Sequence, residues 1–191
     1  MHAFCFKKTL LAYFHILKTL SMNKLHFIAV IAVLIAACED KSTDRTSLNS
    51  ADKLFLQEVS YSNHAEIVEG GIAVANGNLD TVKEFGNMMI ADHSPAQAEL
   101  ESLAGRLGVD IPSTADTAHQ SRAVLLQSLS GNVFDTTYIG GQVRDHKYTI
   151  SIFDEELQYG NNLEIINYAN KYLPMIQRHL KEAQDIDDLL H

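Results

Sequence analysis

Apolar residues recur every three to four positions along almost the whole chain from residue 51 onward, which is the period of an α-helix rather than of a strand. Only ten glycines and three prolines interrupt the 191 residues, too few for the frequent turns of an all-β sandwich. The pattern breaks at 76–78, at 108–115 and at 160–162. We therefore predict an all-α antiparallel four-helix bundle, with an extra short helix over roughly 115–129 in the connection between the two hairpins.

The apolar stripes predict which face of each long helix is buried. The stripe of the second helix is almost continuous: Val82, Phe85, Met89, His93, Ala96, Leu100, Leu103 and Leu107. The stripe predicted for the first helix is less regular: Leu54, Glu58, Tyr61, Ala65, Val68, Ile72 and Ala75. The stripe predicted for the last helix is Leu163, Ile166, Ala169, Leu173, Ile176, Leu180 and Ala183.

The first 37 residues have the pattern of an export signal. They contain four lysines and no acidic residue, and the apolar run over 25–37 is too short to span a bilayer as a helix. The run ends in Ile35-Ala36-Ala37-Cys38, which resembles a bacterial lipobox. We predict that 1–37 are a removable leader, with Met22 a better start than Met1, and that Cys38 is lipidated. An ordinary signal peptide, or a buried helix with a chance cysteine, is the alternative.

The charge of the remaining chain restricts its partners. Without 1–37 the formal net charge falls from −9 to −13, which argues against nucleic acid as a partner. We expect attachment to a membrane through the lipid anchor, on the periplasmic side or at the outer membrane of a bacterial envelope, with any protein partner unidentified. The polar segment 38–50 is predicted to be a flexible tether, and 51–188 the bundle domain. Two cysteines exclude a disulfide framework.

Two histidines, His93 and His146, interrupt stripes that are otherwise apolar. If the turns at 77 and 160 lie at the same end of the bundle, His93 and His146 are almost equally far along the chain from their turns, so both imidazoles lie at one depth. Facing imidazoles and carboxylates hold metals in helical bundles, and nitrogen and oxygen ligands suit a divalent ion. The residues predicted for such a site are His93, His146, Asp92, Glu66 and His179.

A structural polar network is the competing interpretation of these histidines, because a buried neutral imidazole needs only hydrogen-bond partners. Asp92 is one candidate partner, and the others are Asp135, Tyr138 and Asp145. His179 and His64 lie about 90–100° from the centres of their predicted stripes, which would leave them exposed. Glu66 likewise lies to one side of its predicted stripe.

Several landmarks of the chain also form a family pattern. They are Phe55-Leu56, Glu66, Gly70, Asp92-His93, Leu100, the link 104–112, Phe134-Asp135, Tyr138, His146, Leu173-Pro174 and His179-Leu180. With these landmarks, residues from about 51 to 185 resemble the bacterial domain of unknown function 4142 family, a ferritin-like group often described as outer-membrane or periplasmic proteins. The resemblance implies a ferritin-like bundle and no established reaction.

The sequence departs from ferritin-type enzymes. A di-iron bundle needs two Glu-x-x-His motifs, and no carboxylate stands three residues before His64, His93, His146 or His179. No nucleophile elbow, phosphate-binding loop or dinucleotide fingerprint occurs either. We therefore predict a non-enzymatic envelope lipoprotein that acts as a binding or structural module. The alternative is a protein that binds a divalent metal in the bundle core, and an enzyme is the third interpretation.

Overall fold

The computed structural model describes residues 45–191, which fold into five α-helices without strands. The helices are α1 (Ser50–Asn76), α2 (Asp80–Leu107), α3 (Thr117–Ser128), α4 (Gly131–Tyr159) and α5 (Leu163–Leu190). The four long ones form the predicted bundle, and α3 is the predicted short helix. The predicted leader and Cys38 lie outside the described residues. No helix within 45–191 has the length and apolar character needed to cross a membrane.

The four long helices pair as two hairpins, α1 with α2 and α4 with α5, and the hairpins meet where α1 packs on α4 and α2 packs on α5. The short helix α3 lies mainly against α1. The last residues of the predicted tether are bonded to the α4–α5 turn, since the Leu163 N–H donates to the Arg45 carbonyl and the Asn162 side chain donates to the Thr46 carbonyl.

The two short turns lie at opposite ends of the bundle, so the prediction that they share one end was wrong. Asp52, at the start of α1, accepts hydrogen bonds of 3.0 Å from the backbone N–H groups of Asn161 and Asn162 in the α4–α5 turn. Asp135, at the start of α4, accepts from the N–H groups of Asn78 and Leu79 in the α1–α2 turn, at 2.8 and 3.0 Å. The connection that contains α3 therefore runs the length of the bundle.

Two hydrophobic clusters fill the bundle on either side of a polar middle layer. One cluster, toward the start of α1, is built around Phe55, Leu100 and Phe153. The other, toward the α1–α2 turn, is built around Phe85 and Phe134. On each long helix, buried polar residues lie in sequence between the residues of the two clusters: Asn63, Glu66, His93, Gln97, Gln142, His146 and His179.

The helices α1 and α2 touch backbone to backbone at Gly70 and Gly86. A Cβ atom on Gly86 would lie 2.7 Å from the Gly70 carbonyl oxygen and 2.9 Å from the Ala73 Cβ atom, closer than such atoms approach. A Cβ atom on Gly70 would meet the Gly86 carbonyl oxygen at 2.7 Å. The two helices pack this closely because neither glycine has a side chain.

We expect Gly86→Ala to destabilise the fold by about 1–3 kcal/mol, because α1 and α2 must separate to admit the methyl group. Gly71→Ala is the matched control: a Cβ atom there has nothing within 4 Å, so the better helix former should be neutral or add up to about 1 kcal/mol. Chemical denaturation of both variants measures the difference. Equal stability of the two variants would contradict the close contact.

Two acidic side chains are buried together at the end of the bundle that contains the α4–α5 turn. Glu156 is 1% exposed there and lies beside Asp52. Burial, and then the hydrogen bond and charge of Asp52, raise the pKa of Glu156 to about 8. At neutral pH Glu156 is therefore largely protonated beside Asp52. Because this pKa is higher in the folded chain than in the unfolded chain, the stabilisation is complete at low pH and is lost as pH rises through about 8.

We expect the wild type to have a higher melting temperature than Glu156→Gln at pH 6 and this difference to shrink by pH 9. The reason is that Glu156 ionises as pH rises, whereas glutamine cannot. The exposed neighbour Glu155 provides the control, and Glu155→Gln should follow the wild-type pH profile. Thermal denaturation of the three proteins at each pH gives the comparison. Parallel profiles for wild type and Glu156→Gln would show that Glu156 does not titrate as described.

Candidate metal centre

Three histidines from three helices meet in the polar middle layer: His93 of α2, His146 of α4 and His179 of α5. Their ring centroids are 5.3 Å (His93–His179), 5.5 Å (His146–His179) and 6.0 Å (His93–His146) apart. One nitrogen atom of each ring lies within 4.8 Å of the corresponding atoms of the other two. All three side chains are at most 1% exposed, so the cluster is enclosed by the bundle.

Each imidazole has one ring nitrogen held by a hydrogen-bond acceptor outside the cluster. His93 Nδ1 lies 2.8 Å from Asn63 Oδ1, His146 Nδ1 lies 2.9 Å from the Gln142 carbonyl oxygen, and His179 Nε2 lies 2.9 Å from Asp92 Oδ2. Since all three partners are acceptors, these nitrogens carry the protons. The opposite nitrogens then have free lone pairs.

The opposite nitrogens of the three rings share one property. His93 Nε2, His146 Nε2 and His179 Nδ1 are buried, and each lacks a hydrogen-bond partner in the described part of the chain. An unpaired buried polar atom costs about 1–3 kcal/mol, so three together are expensive. A cation between them would bind all three lone pairs.

The burial that encloses the imidazoles also keeps them neutral. Desolvation lowers the pKa of His146 and of His179 to about 4, although the hydrogen bond to Asp92 opposes the shift for His179. Desolvation, and then the other two imidazoles, hold the pKa of His93 well below its usual range. At neutral pH all three rings can therefore act as ligands without losing a proton.

The outer partners are themselves held in place. Asn63 donates through Nδ2 to Gln97 Oε1 at 3.2 Å, which orients its Oδ1 atom toward His93. Arg178 donates to Asp92 Oδ2 at 2.6 Å, so the carboxylate behind His179 is paired with a cation. Such outer contacts fix the tautomer and direction of metal-binding histidines.

Of the five residues predicted for a metal site, the structure brings the three histidines together. His179, expected to be exposed, is completely buried, and that expectation was wrong. Asp92 lies behind His179 rather than among the free nitrogens. Glu66 Oε1 lies 3.8 Å from His146 Nδ1, the nitrogen that already bears a proton, and Glu66 Oε2 is buried and unpaired. Burial, and then the charge of Asp145, raise the pKa of Glu66 to about 7.

The residues predicted as partners of the histidines in a polar network, apart from Asp92, lie elsewhere. Asp135 is buried but binds the α1–α2 turn, and the Tyr138 hydroxyl is buried without a partner. Asp145 forms ion pairs with Arg122 of α3 and Arg144. The structure provides instead the Asn63 side chain, which sequence reasoning missed, and the main-chain carbonyl of Gln142.

A charged cluster lies between α3, α1 and α4. Arg122 of α3 donates through Nε to both carboxylate oxygens of Glu69, at 2.9 and 3.0 Å, and also pairs with Asp145. His119 is half-buried between Asp145 and Asp116. The hydrogen bonds to these two carboxylates raise its pKa to about 9. This cluster ties α3 to the bundle.

Comparison with known proteins gives one family and one solved structure. The family model described as "Domain of unknown function (DUF4142)" matches residues 37–186. The chain is similar to the "Crystal structure of DUF305 fragment from Deinococcus radiodurans", with a TM-score of 0.65, 11% sequence identity, and coverage of 74% of this chain and 97% of that chain. At this level of sequence identity, the similarity supports a shared fold and no shared function. Comparison with curated proteins finds no match.

Proposed function

The chain belongs to the DUF4142 family, whose description assigns no function, and from the geometry of its core we propose that it binds a divalent transition-metal ion through His93, His146 and His179. The observation that carries this proposal is the meeting of three buried imidazoles: one nitrogen of each lies within 4.8 Å of the corresponding atoms of the other two, and each ring has a nitrogen without a partner in the described part of the chain. A purely structural network would pair these atoms with one another or with neighbouring donors.

The distances suit such an ion after a small adjustment. Zinc–nitrogen bonds of about 2.0–2.1 Å place tetrahedral ligand atoms roughly 3.4 Å apart, so each nitrogen needs to move by less than about 1 Å. The histidines come from three different helices, and small rotations of the rings or slight shifts of the helices supply this movement. During this movement, the hydrogen bonds to Asn63, Gln142 and Asp92 keep the three rings in their orientation.

The donor atoms determine the class of ion. Imidazole nitrogen suits zinc, copper, nickel, cobalt and ferrous iron, whereas magnesium and calcium require oxygen ligands. Because the pKa values of His146 and His179 are about 4, the ion does not compete with protons for these rings at neutral pH. The proposed function is therefore binding of a transition metal, with no reaction assigned.

We expect zinc to raise the melting temperature of the purified protein at pH 7.5. At a hundredfold excess over the dissociation constant, the gain is about 2.7 kcal/mol, or roughly 5–10 °C for a domain of this size. The gain should disappear in the His93→Ala/His146→Ala double variant and persist in His119→Ala, which removes a half-buried imidazole outside the cluster. Thermal denaturation with and without zinc measures it, with magnesium as the negative control.

The absence of any zinc-dependent shift in the wild type would refute this proposal. The buried histidines would then belong to a polar network, and an ordered water molecule would have to bridge their free nitrogens. A shift of equal size in the double variant would place the zinc at another site and would refute the three-histidine centre equally.

We further propose that the protein is an envelope lipoprotein that carries this domain on a lipid anchor. The support is the basic start, the short apolar run over 25–37 and Ile35-Ala36-Ala37-Cys38, in the order that export and lipidation require. The strong negative charge of the rest of the chain disfavours electrostatic attachment to anionic lipids, so acyl chains are the means of attachment.

We expect Cys38→Ser to abolish incorporation of a labelled fatty acid and to release the protein from the membrane fraction of bacterial cells. Cys5→Ser is the matched control, because it removes the only other cysteine of the chain and lies before Met22. Fractionation followed by detection of the label compares the variants. Retention of both the label and the membrane association in Cys38→Ser would contradict the anchor.

A further inference from the structure

We propose that Glu66 of α1 supplies the fourth ligand to the three-histidine centre, so that the bundle holds its ion in a closed site of three imidazoles and one carboxylate. This inference rests on the proposed metal binding and goes one step further. It assigns the remaining coordination position to a residue of the protein instead of to water or a substrate.

The position of Glu66 in the bundle is the first argument. The helices α2, α4 and α5 each contribute one histidine, and α1 is the long helix that contributes none. Asn63 and Glu66 lie one turn apart on the buried face of α1, at 2% and 3% exposure. Asn63 contacts His93 and Glu66 approaches His146, so this face of α1 borders the histidine cluster.

The second argument is that Glu66 has an oxygen atom available. Glu66 Oε2 is buried and has no hydrogen-bond partner, while Oε1 lies 3.8 Å from His146 Nδ1. Asn63 cannot take the same role, because its amide is used by His93 on one side and by Gln97 on the other. Glu66 is thus the group on α1 that can turn toward the free nitrogens.

The neighbouring carboxylates are already paired with cations. Asp92 binds Arg178 and His179, and Asp145 and Glu69 both bind Arg122. No basic side chain forms an ion pair of this kind with Glu66 in the part of the chain that the structure describes; its one such contact is with the imidazole of His146. A cation in the histidine centre would be its natural counter-charge.

Charge balance is the third argument. Three neutral imidazoles leave both charges of a divalent ion uncompensated inside a buried layer, which is costly in a low-dielectric interior. One coordinated carboxylate cancels half of that charge. A coordinated carboxylate oxygen lies about 2.0–2.2 Å from zinc, and adjusting the side-chain torsions of Glu66 costs less than moving a helix.

A fourth protein ligand changes what the centre can do. Structural zinc sites have four protein ligands, whereas catalytic zinc sites have three and keep a position open for water. With Glu66 coordinated, the centre has no position for an activated water molecule. The ion then stabilises the bundle or is stored in it, and it connects all four long helices.

The test compares full-length wild type, Glu66→Gln and the matched control Glu69→Gln, which alters a carboxylate of equal burial on the same helix that is paired with Arg122. Zinc affinity is measured by competition with a chromophoric chelator, and coordination by the visible absorption of bound cobalt. We expect Glu66→Gln to bind zinc at least tenfold more weakly and to change the cobalt spectrum. Glu69→Gln should retain both wild-type properties.

Equal zinc affinity and equal cobalt spectra in wild type and Glu66→Gln would overturn the fourth ligand while leaving the three-histidine site intact. A weaker affinity with an unchanged cobalt spectrum would overturn it too, because Glu66 would then act from outside the coordination sphere. Failure of the proposed function looks different, since the wild type itself would bind neither zinc nor cobalt. Circular dichroism of each variant excludes loss of the fold as the cause.

Discussion

The close contact of α1 with α2 at Gly70 and Gly86 determines much of what the bundle core can hold. The two helices are antiparallel, so residues an equal number of turns away from the contact face each other. Asn63 lies as far before Gly70 in the sequence as His93 lies after Gly86. The contact thus brings Asn63 Oδ1 to 2.8 Å from His93 Nδ1. A wider separation would break this hydrogen bond and free the His93 ring to turn away from the cluster.

Helical periodicity was enough to predict the fold class, but it did not predict which face of α1 is buried. Leu54 and Val68, placed on the predicted stripe, are 42% and 50% exposed. The face that is buried carries Asp52, Ser60, Asn63, Glu66 and Glu69 among its apolar residues. A rule that polar residues are exposed fails on this helix, because Asp52 binds a turn, Asn63 binds a histidine and Glu69 binds an arginine from elsewhere in the chain. The arrangement of the turns was missed for a related reason, because the sequence of the connection does not reveal that it runs the length of the bundle.

The candidate site was predictable where a histidine interrupted a regular stripe. His93 stood out because α2 is apolar on either side of it. The equal depth of His93 and His146 survived the incorrect arrangement of the turns, because His146 is in the middle of α4 and its depth is nearly the same from either end. His179 was among the predicted ligands, but its burial was missed because Leu163, Leu173 and Leu180, which are exposed or only partly buried, shifted the predicted stripe away from the true core face. Its spacing from Ile176 and Ala183, three and four positions away, was the signal that could have placed it.

The middle layer is where the chain departs from the rule that buried polar atoms are paired. The two hydrophobic clusters provide the stability of an ordinary bundle, and replacing the histidines between them with apolar residues would join the clusters into one core. Among the described residues, the chain instead leaves three ring nitrogens, one oxygen of Glu66 and both amide atoms of Gln142 there without a partner, each at a cost of about 1–3 kcal/mol. It also holds the outer nitrogen of every ring with a separate acceptor on the protein. Local arrangements that oppose stability in this way are characteristic of functional sites. When a cation binds, the three ring nitrogens and the Glu66 oxygen become its ligands, and their burial no longer lowers stability. The proposed function therefore explains why the chain keeps these unpaired atoms in the middle layer.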